Sequence, residues 1–346
     1  MTMSNRHELA LFLTLTFGIT YLVQYTGLAK GDILNGGYLG SLPPELTVAF
    51  QLAMYIPALV AIVLNRFVIK KDLYTGKAVW FINYYLLLTA EMFISFMAVT
   101  VLGLHNTNPI LLPIIGSVTA ITGLTGTILL FALNLKPKWR TDLVKAKLNL
   151  GNIRHYIAYG GFLALFLTIG AIIDHYTGLG YNHTIDPTSL ITGAFNALLL
   201  APVLGLTTGV FGEEYGWRIY LQDLLVERYG KRLGVPLLGV VWGLWHAPVV
   251  LAGGTYPGYG FTGLLVFIVF ATIVGALLSH ATFASGTVWV AAFVHAINNG
   301  YGNFTLNLVT FYDPVYNFRL GIYGLSILAV LIFGIILLEK KLWAPT

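Results

Sequence analysis

Between Leu190 and Phe211 the chain reads LITGAFNALLLAPVLGLTTGVF, a run without one ionisable side chain. Runs of this kind constrain the fold more than any other feature. A segment inside hydrocarbon must satisfy its own backbone hydrogen bonds, and it does so as a helix. About ten runs of roughly 18–26 residues can be marked, near 8–28, 47–66, 78–104, 109–135, 156–178, 189–212, 235–252, 260–281, 286–302 and 320–340. Apolar residues make up 57% of the chain and charged ones 10%, against about 25% charge in a soluble domain. The expected fold is therefore all-α: a polytopic transmembrane helix bundle of about ten spans. The chain has no cysteine, which excludes a disulfide framework, a thiol nucleophile and thiolate metal sites. The apolar part of the first run is too long for a cleaved signal peptide.

The basic residues set the orientation. Arg6 precedes the first span. Arg66, Lys70, Lys71 and Lys77 fall in one loop, and Lys136, Lys138, Arg140, Lys145, Lys147 and Arg154 in another. Arg228, Lys231 and Arg232 follow, then Lys340 and Lys341. The alternate loops hold only Lys30 and Arg319. This pattern places both termini in the cytoplasm of a multi-pass protein, with the cell membrane as the expected location. It also accounts for the net charge of +5 without nucleic acid. The organisation expected is four N-terminal spans over 1–135, of no assigned role, a basic cytoplasmic loop at 136–155, and a membrane core over 156–346 that carries the motifs at 213–299.

Ionisable groups at membrane depth are costly and mark protein interiors or water-filled cavities. Glu91 reads as a lone glutamate between helices and His280 as an interface histidine. Asp174, His175, His183 and Asp186 fall in or near an outer loop, where solvation explains them. Three clusters differ. In GEEYGWR, Glu214 and Arg218 are four apart and share a helix face, in the favourable Glu-before-Arg order. Glu213 is rotated about 100° away. This suggests that Glu214 neutralises Arg218 while Glu213 stays available as a general base. In WGLWHAP, His246 lies near mid-membrane with Trp242 one turn earlier, and Pro248 should loosen the helix there. In FVHAINN, His295 and Asn299 share a face and Asn298 points elsewhere. Each cluster has a plain structural reading: a salt bridge, a core histidine, interhelical hydrogen bonding. At 1.5 Å per residue, however, all three reach one level in the inner half of the membrane.

A carboxylate, two imidazoles and an amide, with no serine or cysteine paired to them, suit hydrolysis by an activated water. Glu213 and His246 would hold and deprotonate it, and His295 with Asn299 would face the oxyanion. No H-E-x-x-H, G-x-G-D or G-x-S-G is present.

E-E-x-x-x-R at 213–218, aromatic-x-x-x-His at 242–246 and His-x-x-x-Asn at 295–299 resemble the three motifs of the CPBP family. These are the CAAX-processing and bacteriocin-processing intramembrane proteases, also called Abi, whose eukaryotic members are type II CAAX prenyl endopeptidases. The likeness covers roughly 189–305, and Trp242 stands where the family usually has Phe. The resemblance implies a helical membrane hydrolase and a catalytic cavity open towards the cytoplasmic side. It assigns Glu213 and His246 to the water, His295 and Asn299 to the oxyanion, and a structural role to Glu214 and Arg218. The expected substrate is a membrane-associated peptide or prenylated protein, CAAX-type or leader/bacteriocin-type, cut by intramembrane proteolysis. No metal is favoured; were zinc present, Glu213, His246 and His295 would be its ligands. Two other readings stay open. One is a non-proteolytic immunity or scaffold protein of the same fold. The other is a transporter using Glu213 and Glu91, which should show inverted repeats that this chain lacks.

Overall fold

In a computed structural model, residues 5–30, 42–69, 73–182, 186–311 and 313–344 are described; Lys70, Lys71 and His183 lie outside them. The fold is a helix bundle. Its helices are α1 (Asn5–Lys30), α2 (Pro44–Val63), α3 (Ala78–Phe96), α4 (Leu111–Leu135), α5 (Pro137–Lys145), α6 (Ile153–Thr177), α7 (Pro187–Phe195), α8 (Ala201–Gly205), α9 (Gly209–Glu214), α10 (Gln222–Trp245), α11 (Ala247–Leu251), α12 (Gly260–Ser285), α13 (Val288–Leu308) and α14 (Ile322–Leu338). Two short strands, β1 (Gly180–Asn182) and β2 (Val309–Phe311), pair antiparallel with Tyr181 opposite Thr310.

The helix limits follow local signals. The Asp186 carboxylate accepts from the amides of Thr188 and Ser189 and starts α7. The Thr287 hydroxyl caps α13, and Gly286, at φ 69°, ends α12.

Seven helices among the described residues are long and apolar enough to cross a membrane. Those outside this set include the ones that carry the motifs. The run expected at 189–212 stops at Gly205, and the chain restarts as α9. The helix expected at 235–252 is instead α10, which bends at Gly230 (φ 70°, ψ 165°) and ends at Trp245. Helix α9 has only six residues, α10 carries the exposed charges Asp223, Glu227, Arg228 and Arg232, and α13 carries His295, Asn298, Asn299 and Asn303.

Close packing draws the motif helices together. Added Cβ atoms on Gly239 and Gly243 would collide with the backbone of Thr272 and Ile268 on α12, so α10 and α12 pack in near-backbone contact. On the other side α1 and α2 close the core. Trp245 Nε1 donates to Thr20 Oγ1 at 2.9 Å, and the Tyr21 hydroxyl donates to the Leu244 carbonyl at 2.6 Å.

The basic segments gather at one end of the bundle. Asn5 donates to Glu227 at 2.9 Å, Lys231 Nζ to the Leu342 carbonyl at 2.8 Å, and the Val288 amide to the Lys147 carbonyl at 3.1 Å. The strands, the Glu45–His105 pair at 3.0 Å and the segment 313–321 lie at the other end.

Candidate active site

Glu213 and Glu214 sit in the first helical turns after a break rather than at the end of a span. The break at 206–208 is held by Thr207 Oγ1, which donates to the Gly123 carbonyl at 3.1 Å. Gly212 and Gly216 then lie directly on the α2 backbone, where a Cβ would collide with the Met54 carbonyl and with Pro57. This close approach carries both carboxylates into the core, Glu213 at 2% exposure and Glu214 at 0%. From Tyr215 to Leu221 the helix widens into π-type turns, a feature common at functional sites.

The two carboxylates take separate partners. Glu214 Oε2 pairs with Arg218 Nε at 3.2 Å, as the spacing predicts. Its Oε1 meets His295 Nδ1 at 2.7 Å, so Glu214 is not confined to its own helix. Arg218 is fully buried, and its guanidinium carbon lies over the Trp242 ring, 4.9 Å from the ring centre. Glu213 Oε2 accepts from Trp242 Nε1 at 2.8 Å.

His246 is the residue at which α10 ends, one position before α11, with Pro248 in the first turn of the new helix. Its Nδ1 lies 2.8 Å from the Trp242 carbonyl. A carbonyl can only accept, so Nδ1 carries the proton and Nε2 keeps a lone pair. The same reasoning makes His295 Nδ1 the donor to Glu214. Both imidazoles pack edge-on against Trp242, with ring centres at 5.6 Å for His246 and 5.4 Å for His295. Trp242 thus touches Glu213, Arg218, His246 and His295, and the three sequence clusters converge on one indole.

These side chains form one end of a cavity of ≈ 390 Å³, which Glu213, His246, His295 and Asn299 all line. The volume lies at the low end for ligand pockets, suiting an extended segment of a few residues rather than a folded domain. Asn298 also lines it, contrary to its expected outward direction, and donates to Asn299 Oδ1 at 3.1 Å. Asn299 keeps its amide N–H groups as donors. Gln24 of α1 and Met54 of α2 contribute to the wall, so the N-terminal helices take part in the site.

The rest of the lining was not legible in the sequence. Thr255, Asn303, Asn317 and Arg319 extend the cavity towards the end of the bundle that carries the strands. The basic segments sit at the opposite end. Asp174, expected in a solvated loop, is fully buried at the same end, where it accepts from the Phe318 amide at 2.8 Å. Asn317 Oδ1 accepts the amides of Arg319, Leu320 and Gly321 and shapes this roof. The roof is latched by Asp313, which accepts from the Tyr259 hydroxyl and from the amides of Val315 at 2.7 Å and Tyr316 at 3.1 Å. Burial pushes the Asp313 carboxyl up, but these donors outweigh it and hold it below the usual value. The same contact pushes the Tyr259 phenol up to about 12.

Glu91 and His280 have partners outside this cavity. Glu91 accepts from the hydroxyls of Thr119 and Thr122 at 2.9 and 3.0 Å, so it is not alone. His280 is an interface histidine, accepting from Trp343 Nε1 at 2.9 Å. Among the described residues no group of three or more His, Asp or Glu side chains is arranged to hold one metal ion.

Residues 194–301 match the family model for type II CAAX prenyl endopeptidase Rce1-like. That segment carries all three motifs. Over 44 residues the chain is 41% identical to the CAAX prenyl protease 2 of Methanococcus maripaludis, which is 13% of this chain. The chain spans 16% of the length of that curated relative. No solved structure matches.

Proposed function

We propose, starting from the match of 194–301 to type II CAAX prenyl endopeptidases, that the chain is an intramembrane endopeptidase. It hydrolyses a peptide bond of a membrane-associated substrate. One observation carries this reading. A buried glutamate, held by an indole N–H at 2.8 Å, shares a peptide-sized cavity with two histidines and an asparagine amide.

The chemistry follows from which atoms are engaged. His246 Nε2, with its lone pair facing the cavity, accepts a hydrogen bond from a water and orients it. Glu213 Oε2 is held by Trp242, leaving Oε1 to take a proton from that water as its oxygen attacks the scissile carbonyl carbon. The negative charge that develops on the carbonyl oxygen meets the Asn299 amide. It also meets His295, which as an imidazolium donates from Nε2 while Glu214 holds Nδ1. Such donors, fixed before reaction in a site of low dielectric, are worth about 3–4 kcal/mol each. On collapse, Glu213 returns the proton to the leaving nitrogen, the C–N bond breaks, and a carboxylic acid and an amine form, the acid then giving its proton to the amine.

Two acids would oppose each other in this core, and the two cationic partners offset them. Arg218 and protonated His295 balance Glu213 and Glu214, so the buried set is neutral overall. The substrate is a short extended segment of a CAAX-type or leader-type peptide.

The test is the full-length protein in detergent with quenched-fluorescent peptides of both types. Wild type should cleave, and Glu213→Gln and His246→Ala should each lose at least about 100-fold in kcat. Cleavage by Glu213→Gln at the wild-type rate would sink the reading in favour of a scaffold protein.

A further inference from the structure

We infer that Gln24 of α1 holds the backbone of the substrate, its carboxamide oxygen accepting from a peptide N–H of the segment bound in the cavity. The ligand's being a peptide rests on the peptidase reading above. The helix concerned lies outside the residues 194–301 that match the family model.

The buried stripe of α1 runs Phe12, Thr16, Thr20, Gln24 and Gly27, at steps of three and four. Leu22 and Tyr25, on other faces, are exposed. Two bonds pin this stripe to the end of α10. Thr20, one turn before Gln24, accepts from Trp245 Nε1 at 2.9 Å, and the Tyr21 hydroxyl donates to the Leu244 carbonyl at 2.6 Å. One turn after Gln24, a Cβ on Gly27 would collide with Ala49 of α2. The backbone of Gln24 is thus clamped between α10 and α2. Its side chain is 2% exposed and lines the cavity together with Met54, Trp245 and His246.

A buried glutamine can serve as interhelical glue, but glue needs a partner. Gln24 Oε1 has no hydrogen-bond partner among the described residues. A buried acceptor left unpaired is costly, and a bound donor explains its place in the wall. Asn298 Oδ1, on the α13 wall of the same cavity, also has no donor among the described residues. Its Nδ2 is spent on Asn299 Oδ1 at 3.1 Å. Both oxygens are acceptors, on two walls of one cavity, and what they lack is N–H. An extended peptide presents its N–H groups alternately along two edges, so it can supply one to each wall. The last side-chain torsion of glutamine is broad, and a turn about it brings Oε1 onto the bound segment. His246, which orients the water, directly follows Trp245, so the peptide group that Gln24 holds lies close to the scissile bond.

The test uses the full chain in detergent, in a Glu213→Gln background so that peptide is bound and not consumed. Fluorescein-labelled CAAX-type and leader-type peptides are titrated by anisotropy. Each is paired with analogues in which one backbone N–H near the scissile bond is replaced by an ester oxygen. Gln24→Met keeps the length of the side chain and removes its amide. It should weaken binding of the parent peptide about 3- to 10-fold. Its thermal midpoint should stay level or rise, because a buried unpaired oxygen is gone. One ester analogue should bind the Glu213→Gln protein about 3- to 10-fold more weakly than its parent does. The same analogue should bind the double variant within about twofold of its parent. Equal binding of the parent by both proteins would overturn the inference, and so would ester losses of equal size in both. A midpoint lowered by several degrees would assign Gln24 to packing and overturn it too. Binding of no peptide by either protein would have the same consequence. Binding is read without turnover, so failure of the peptidase reading in the cleavage assay and failure of this inference are separate results.

Discussion

Trp242 Nε1 donates to Glu213 Oε2 at 2.8 Å, inside a core where both side chains are about 2% exposed. The bond uses a feature that Trp has and Phe lacks at this position. Both rings can pack against Arg218 and the two histidines, but only the indole has an N–H. A hydrogen bond to a charged partner is worth about 1.5–3 kcal/mol, or about 10- to 150-fold in the share of correctly turned carboxylate.

Trp242→Phe should therefore fold like wild type and bind peptide with a KM within about twofold, while kcat falls about 10- to 100-fold. Steady-state kinetics on the purified variant check both. An unchanged kcat would show that the bond only packs.

Glu214 and Glu213 should part in their effects. Glu214 serves Arg218 at 3.2 Å and His295 at 2.7 Å. Removing it leaves a fully buried guanidinium without its counter-charge, at a cost of about 3–5 kcal/mol. Glu214→Ala should thus lower the thermal midpoint by several degrees or abolish folding. Glu213→Gln keeps the shape and an acceptor for Trp242, and should stay close to wild type while losing activity. Thermal unfolding of both variants in detergent, read beside cleavage, decides. Equal stability losses would reject the division.

Much of this site could be read from spacing, because helical periodicity is a local rule. Glu214 with Arg218 and the inward His295 needed only the 3.6-residue turn. The partner of Glu213 could not be read that way. Trp242 reaches it because Gly212 lies on Met54 of α2 and Gly239 on Thr272 of α12, and such close approaches are set by tertiary packing. Asp174 misled for the same reason. It sits near a helix end and reads as solvated, yet the segment 313–321 folds back over it. The apolar count foresaw a helical bundle, but the break at 206–208 depends on a Thr207 bond to Gly123 that no window detects.

Chelation should leave cleavage intact. The proposed water mechanism uses Glu213 Oε1 and His246 Nε2 directly, and among the described residues no group of three or more His, Asp or Glu side chains is arranged to hold one ion. Activity measured after prolonged treatment with a strong zinc chelator should then match the untreated enzyme within about twofold. Loss of activity that returns on adding zinc would reject the metal-free water mechanism.

The roof of the cavity should respond to acid through Asp313. Its carboxyl is held below the usual value by Tyr259 and the amides of Val315 and Tyr316, against the opposing push of burial. A group depressed in the folded state stabilises above its unfolded value, and that contribution is lost as pH falls through the folded value. The latch should therefore be fully closed at neutral pH and open only in acid, below the ordinary carboxylate value of 3.8. Asp313→Asn removes the charge at every pH. Its segment 313–321 should exchange amide hydrogens faster than wild type at pH 7, by about 5-fold or more, for a loss near 1 kcal/mol. The difference should shrink as the wild type is acidified. Hydrogen exchange with mass spectrometry in detergent measures it, and equal exchange of the two proteins at pH 7 would show that Asp313 does not hold the roof.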